Sequence, residues 1–173
     1  MNILIRKENI NDFIGISEVN TQAFKQENEA KLVNLLRSSI NFIPELSLVA
    51  ILNDKLIGHI LFTKIKIINE KKQGFESLAL APMSVLPEFQ NKGIGSKLVK
   101  EGLNQSKNLG YKSVIVLGHS EYYPKFGFKK ASNWNIKCPF NVPDSSYMAI
   151  ELIDKGLDNI SGIVEYSKEF SLL

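Results

Sequence analysis

Apolar and polar positions alternate along this chain in blocks that read as short strands separated by helical stretches. Ile3–Ile5 predicts a short strand. Asn9 or Asn11 is placed to cap a helix that carries Ile10, Phe13, Ile14, Val19 and Ala23. A second helix is predicted from Glu27 to Ser39, with Leu32, Val33, Leu36 and Ile40 on one face. Ser47–Asn53 is an apolar strand, Asn53-Asp54-Lys55 is turn chemistry, and Leu56–Ile68 is a long strand, so the pair predicts a hairpin. A charged turn, Asn69–Gly74, leads into the apolar strand Phe75–Leu86. The next helix buries Ile94, Leu98, Val99, Leu103 and Leu109 and is stopped by Gly110. Ser113–Leu117 has the unbroken apolar character of a strand covered on both faces. Helix followed by strand over Gly93–Leu117 predicts a parallel crossover unit. Tyr147–Leu152 is a late strand. Neither a repeat nor a linker interrupts this order, which predicts one mixed α/β domain over residues 1–153. Ile163, Val164, Tyr166 and Phe170 predict that residues 154–173 form an extension packed on that domain.

Composition changes this picture little. At 173 residues, 44% hydrophobic and 23% charged, the chain can bury an ordinary globular core. The net charge of +3 is mild, and the lysines are scattered without interleaved aromatics, which argues against a nucleic-acid partner. Cys138 is the one cysteine, so no intrachain disulfide can form and an oxidising compartment is not indicated. The start, Met-Asn-Ile-Leu-Ile-Arg-Lys, turns charged too soon for a signal peptide, and no stretch has the length of a membrane span. The expectation is a cytoplasmic protein with no membrane partner.

Candidate chemistry concentrates after the strand that ends at Pro87. Gln90-Asn91-Lys92-Gly93-Ile94-Gly95-Ser96 is a short polar, glycine-bearing loop that opens directly into a helix. That arrangement presents unpaired backbone N–H groups and a positive helix end to an anion, and glycine lets the backbone approach it closely. Gln90 can add a donor and Lys92 a charge. The loop therefore reads as a pyrophosphate cradle. A P-loop is excluded because the glycines are two apart and Ser96 precedes Lys97. A dinucleotide fingerprint is excluded because its third glycine falls at Leu98 and no carboxylate lies near Lys112 and Ser113.

What remains, Gln-x-x-Gly-x-Gly after an apolar strand, resembles the acetyl-CoA loop of the GCN5-related N-acetyltransferases. About thirty residues downstream, Tyr123, Gly127 and Phe128 match the Tyr-x-x-x-Gly-Phe of the short helix that follows the fifth strand in that superfamily. The longer string, Gly118-His119-x-Glu121-Tyr122-Tyr123-Pro124-x-Phe126-Gly127-Phe128, resembles the branch of predicted acetyltransferases related to the bacterial protein YhbS. The resemblance covers roughly residues 3–153 and is specific in these two blocks.

It implies an α/β acyl-CoA N-acyltransferase fold, with a mixed, mostly antiparallel sheet of six or seven strands and helices on both faces. The strands Phe75–Leu86 and Ser113–Leu117 should run parallel and splay at their C-terminal ends. The pantetheine arm of acetyl-CoA would pair there with the backbone near Met83 and Val85. The amide of Val85 or Leu86 would polarise the thioester carbonyl. Gln90, Asn91, Lys92, Gly93, Ile94, Gly95 and Ser96 would hold the pyrophosphate. Tyr123 would hydrogen-bond or protonate the departing thiolate, the alternative being a packing tyrosine, and Tyr122 would pack or touch the cofactor. The implied reaction is acetyl transfer from acetyl-CoA to a primary amine of a small molecule or peptide by direct attack in a ternary complex, in a monomer or homodimer. A non-catalytic acyl-CoA sensor and transfer of a longer acyl group stay open.

His119 follows a strand end, where it could serve as a base or as an ordinary loop histidine. His59, inside a strand, reads as structural. Gly118-His119-Ser120 lacks the second glycine of a nucleophile elbow. Cys138 reads as a small apolar filler. Glu76 and Glu121 are candidate bases that nothing singles out. The acceptor would meet the first two helices, the Leu56–Ile68 hairpin and residues 134–147, where Pro139 and Pro143 suggest an ordered loop and no specificity code is legible.

Overall fold

The computed structural model describes residues 1–173. The chain packs as two units, one of Met1–Thr63, Ala81–Gln105 and Lys168–Leu173, the other of Lys64–Leu80 and Ser106–Ser167.

In the first unit β1 (Leu4–Lys7) runs antiparallel to β2 (Phe42–Leu52), with Leu4 opposite Ile51. β2 turns into β3 (Lys55–Ile68) through Asn53 and Asp54, whose φ values of 49° and 62° match the right-handed twist of the strands they join. This is the predicted hairpin. The two-residue alternation of β3 then sorts the helices. Leu61 faces α1 (Phe13–Phe24) and α2 (Asn28–Arg37), where it clusters with Ile16, Val33, Leu36 and Val49. Its neighbour Phe62 faces α3 (Ile94–Asn108), so closely that a Cβ on Gly102 would overlap the ring. Helices therefore cover both faces of this sheet, and each fully buried Leu or Ile contributes about 1.5–3 kcal/mol. Phe170, from the predicted extension, packs against the α1–α2 cluster.

A 3-10 turn, Ile10–Asp12, precedes α1. Asn9 Oδ1 accepts from Asn11 N at 2.9 Å and Asp12 Oδ2 accepts from Asn9 N at 2.8 Å, so Asn9 caps that turn, while no side chain caps α1 itself. Asp12 also pairs with Arg6 at 2.7 Å, and that hydrogen bond holds its carboxyl below the usual range.

Four details differ from the sequence pattern, the first being Leu109, which lies past the end of α3 and is 45% exposed instead of buried. Helix α1 begins at Phe13, which turns Ile16, Val19 and Asn20 inward and leaves Ile10 and Ile14 76% and 77% exposed. Ile40 lies past the end of α2 and is 92% exposed. Strand β2 starts at Phe42 rather than Ser47, because a register shift between those residues accommodates Pro44 and Glu45, which interrupt the apolar run.

In the second unit the first part of β4 (Gly74–Val85) lies parallel to β5 (Ser113–Leu117), the predicted crossover, with Ser77 Oγ and Ser113 Oγ 2.7 Å apart. β5 pairs antiparallel with β8 (Tyr147–Glu151), and β8 with β6 (Lys129–Lys130). β9 (Gly162–Glu165) pairs antiparallel with the end of β3 and parallel with β7 (Ile136–Lys137). β6 and β7 are two residues long, too short to show alternation in sequence. Ile65, Ile67, Ala79, Ile115, Ala149 and Val164 form this unit's core. The strands number nine where six or seven were expected, the pairing is mixed and mostly antiparallel, and no helix is long and apolar enough to cross a membrane.

Candidate active site

The end of β4 and the loop after it belong to the first unit. Leu86 N donates to Ile57 O at 2.9 Å. A Cβ on Gly58 would lie 3.2 Å from Ser84 O. Ser84 and Leu86 therefore direct their backbone groups toward β3. Residues alternate along a strand, so Met83 and Val85 present theirs at the opposite edge. This corrects one expectation: the Leu86 amide is engaged by Ile57 and cannot polarise a thioester, which leaves Val85. The parallel ladder of β4 with β5 has its registered partners at Leu78–Val114 and Ala79–Ile115, and β4 continues past them to Val85.

After Val85 a 3-10 turn, Pro87–Phe89, carries the chain into the loop. Asn91 and Gly93 are left-handed, with φ of 61° and 82°. Asn and Gly are the residues that adopt this conformation at least cost. Gly93 O accepts from Lys97 N at 3.1 Å, which makes Gly93 the cap of α3. The N–H groups of Ile94, Gly95 and Ser96 then head the helix without intrahelical partners. A Cβ added to Gly93 would meet nothing within 4 Å, so the space above the loop is open. Asn91, Lys92 and Gly93 are exposed and Gly95 and Ser96 half-buried. Ile94 is buried in the core and can act only through its backbone. Lys92 Nζ donates to Glu88 O at 3.0 Å, which holds its charge beside the loop. Open space, bare backbone, a helix N-terminus and a lysine fit a pyrophosphate.

Gln90 departs from its expected use. Its Nε2 donates to Val85 O at 3.0 Å, so the side chain binds the strand end.

In the second unit, Tyr123 opens the 3-10 turn Tyr123–Phe126, which Gly127 ends at φ 102°. His119 O anchors the turn by accepting from Tyr122 N at 3.1 Å and Tyr123 N at 3.4 Å. Tyr123 is 7% exposed, and its ring lies edge-on to Tyr122 at 5.1 Å and to Phe128 at 5.6 Å. Burial, reinforced by Tyr122, raises its pKa above the ordinary phenol value, so the hydroxyl stays protonated and can donate. Sequence reasoning did not weigh Gly118 in this role. A Cβ there would overlap the Tyr123 ring, with Cδ2 at 2.9 Å, so Gly118 makes the room in which Tyr123 sits. The available signal was a glycine directly after the buried strand β5, five residues before the tyrosine. Tyr122 is half-buried, with Lys125 Nζ 4.2 Å over its ring.

The remaining candidates do not gather into a site. His119, Glu121 and Glu76 are exposed. His59 is fully buried between Ser47 Oγ at 2.9 Å and Asn20 Nδ2 at 3.3 Å. Asn20 donates to its Nδ1, so Nε2 carries the proton toward Ser47. Burial, with the Arg37 charge, holds its pKa down to about 3, so it is a neutral structural group. Cys138 packs against the second unit's core near Tyr147 and Tyr166, whose hydroxyls are 2.9 Å apart. No cluster of three metal-ligating side chains is present.

A family model described as an acetyltransferase (GNAT) domain matches residues 44–130, a span that includes the loop and the Tyr123–Phe128 block. The uncharacterised N-acetyltransferase YhbS of Escherichia coli strain K12 is 32% identical over 170 residues, which cover 98% of this chain and 99% of that protein. This chain belongs to the GNAT acetyltransferases. The uncharacterised N-acetyltransferase YjhQ of the same organism is 37% identical over 134 residues, 77% of this chain and 74% of YjhQ. Among solved structures, the GNAT YhbS from E. coli in complex with CoA superposes with a TM-score of 0.91 at 29% identity, covering 99% of this chain and 93% of that one. A GNAT acetyltransferase from Brucella melitensis in complex with acetyl-CoA gives 0.79 at 30% identity, with 98% of each chain covered. The GNAT fold expected from the two motifs is thus the observed one.

Proposed function

We propose that this GNAT protein moves an acetyl group from acetyl-CoA to a primary amine of a small molecule or peptide, by direct attack within a ternary complex. The observation that carries this reading is the left-handed Asn91–Gly93 loop, open to a ligand and leading into the N-terminus of α3. The CoA and acetyl-CoA present in the two similar GNAT structures support the donor.

Acetyl-CoA would supply the activated acyl group as a thioester. The backbone at Ile94, Gly95 and Ser96 and the Lys92 ammonium would hold its pyrophosphate, with Asn91 and Gly93 shaping the loop. Met83 and Val85 would pair with the extended arm along the β4 edge that faces away from β3. The Val85 N–H would donate to the thioester oxygen and stabilise the charge that gathers there. Tyr123 would donate a hydrogen bond to the departing sulfur. An ordinary thiol has a pKa of about 8.5, well below the raised phenol of Tyr123, so hydrogen bonding is favoured over complete proton transfer. Tyr122, edge-on to the Tyr123 ring, would contact the donor.

A second reading, a non-catalytic acyl-CoA sensor, shares the loop but has no use for a buried phenol with room made for it by Gly118. The experiment is calorimetric titration with acetyl-CoA and CoA. Binding in the micromolar range is expected, about −8 kcal/mol, together with a raised melting temperature. Failure of both ligands to bind overturns both readings.

A further inference from the structure

We propose that Gln90 is a positioning residue that clasps the Val85 carbonyl and thereby sets the strand-edge amide that meets the thioester, instead of binding phosphate. The proposal rests on the reading of the loop as an acyl-CoA cradle.

The Val85–Leu86 peptide is held on both sides. Its N–H, on Leu86, donates to Ile57 O at 2.9 Å, and its C=O, on Val85, accepts from Gln90 Nε2 at 3.0 Å. A planar peptide fixed at both ends cannot rotate. Along a strand the N–H and C=O of one residue share an edge. The Val85 N–H belongs to the preceding peptide, and it stays at this edge, away from β3, as long as the clasp keeps Val85 extended.

The clasp has a second consequence. Gln90 occupies an acceptor that a strand-like ligand would otherwise use. Pairing by the arm of acetyl-CoA is then confined to Met83 and the Val85 N–H, and it ends where the thioester oxygen must lie. Gln90 acts as the last rung of the ladder, and its length fits the task because the loop returns past the strand end five residues later. The phosphate role passes to backbone N–H groups and to Lys92.

The test separates the two ends of the donor. Acetyl-CoA carries both pyrophosphate and arm, whereas the adenosine 3′-phosphate 5′-diphosphate fragment carries only the nucleotide end. Gln90→Met keeps the side-chain length without a donor, and Gln90→Arg restores an N–H donor. In Gln90→Met the Kd for acetyl-CoA should rise about three- to tenfold, the scale of one hydrogen bond, while the Kd for the nucleotide fragment stays within about twofold. In Gln90→Arg the ratio of the two Kd values should return to that of wild type, a ratio that cancels any general gain from the added charge. Equal losses for both ligands in Gln90→Met would make Gln90 a phosphate ligand and overturn the proposal. Unchanged affinity for both would make the clasp dispensable and overturn it equally. Wild-type protein that binds neither ligand would remove the cradle itself, a failure visible before any variant is compared.

Discussion

Gly93→Val should weaken acetyl-CoA binding by about a hundredfold or more, about 2.7 kcal/mol, while the protein still folds. Gly93 sits at φ 82°, where an L residue costs about 1–2 kcal/mol and a β-branched one more. No protein atom lies within 4 Å of the added Cβ, so the substitution meets no steric conflict inside the protein. The conflict is with the ligand and with the backbone conformation that presents the first N–H groups of α3. Gly110 is the matched control. It has φ 94° and equally open surroundings, and it follows the other end of α3. Gly110→Val should cost comparable stability and leave acetyl-CoA affinity within about twofold, because only local backbone strain is introduced. Calorimetry and thermal melts on both variants make the comparison. Wild-type affinity in Gly93→Val would place the phosphate elsewhere.

Tyr123→Phe should lower turnover by about ten- to a thousandfold and change acetyl-CoA affinity little. The substitution keeps the ring, and with it the edge-on contacts to Tyr122 and Phe128, so packing is preserved. What it removes is a donor to the sulfur, needed most as the thiolate leaves, and an interaction made mainly in the transition state lowers kcat rather than raising KM. The loss should sit toward the lower end of that range, since a thiolate is a tolerable leaving group on its own. The raised phenol pKa adds a signature: ionisation of Tyr123 should not produce a basic limb in the wild-type pH–rate profile below about pH 10. Unchanged turnover in Tyr123→Phe on an accepted amine would reduce Tyr123 to a packing residue.

Most of the frame was legible because its signals are local. The Asn53-Asp54 turn, the apolar run before Pro87 and the Gln90–Ser96 loop each follow from short-range chemistry. The inward face of α1 was misread because it depends on where the helix starts: a 3-10 turn, Ile10–Asp12, capped by Asn9, takes up the first residues, and α1 begins at Phe13. Strands β6, β7 and β9 were missed because two to four residues carry no periodicity, and partners distant in sequence define them. At the candidate site the residue types were readable and the hydrogen bonds were not. Gln90 looked like a phosphate donor because its motif position is beside the loop, yet its amide turns back to Val85. Leu86 and Val85 looked equivalent until Ile57 was seen to engage one of them. Gly118 had no mark of its own, since its role is the absence of a side chain under a ring.

The central claim is acetyl transfer to nitrogen, and incubation of the purified protein with acetyl-CoA and a broad panel of amines and peptides, read by mass spectrometry, tests it most directly. The expected result is at least one acceptor gaining an acetyl group on a primary amine, with one equivalent of free CoA released. Tight binding of acetyl-CoA with no acetylated product anywhere in the panel would contradict the claim and favour a sensor.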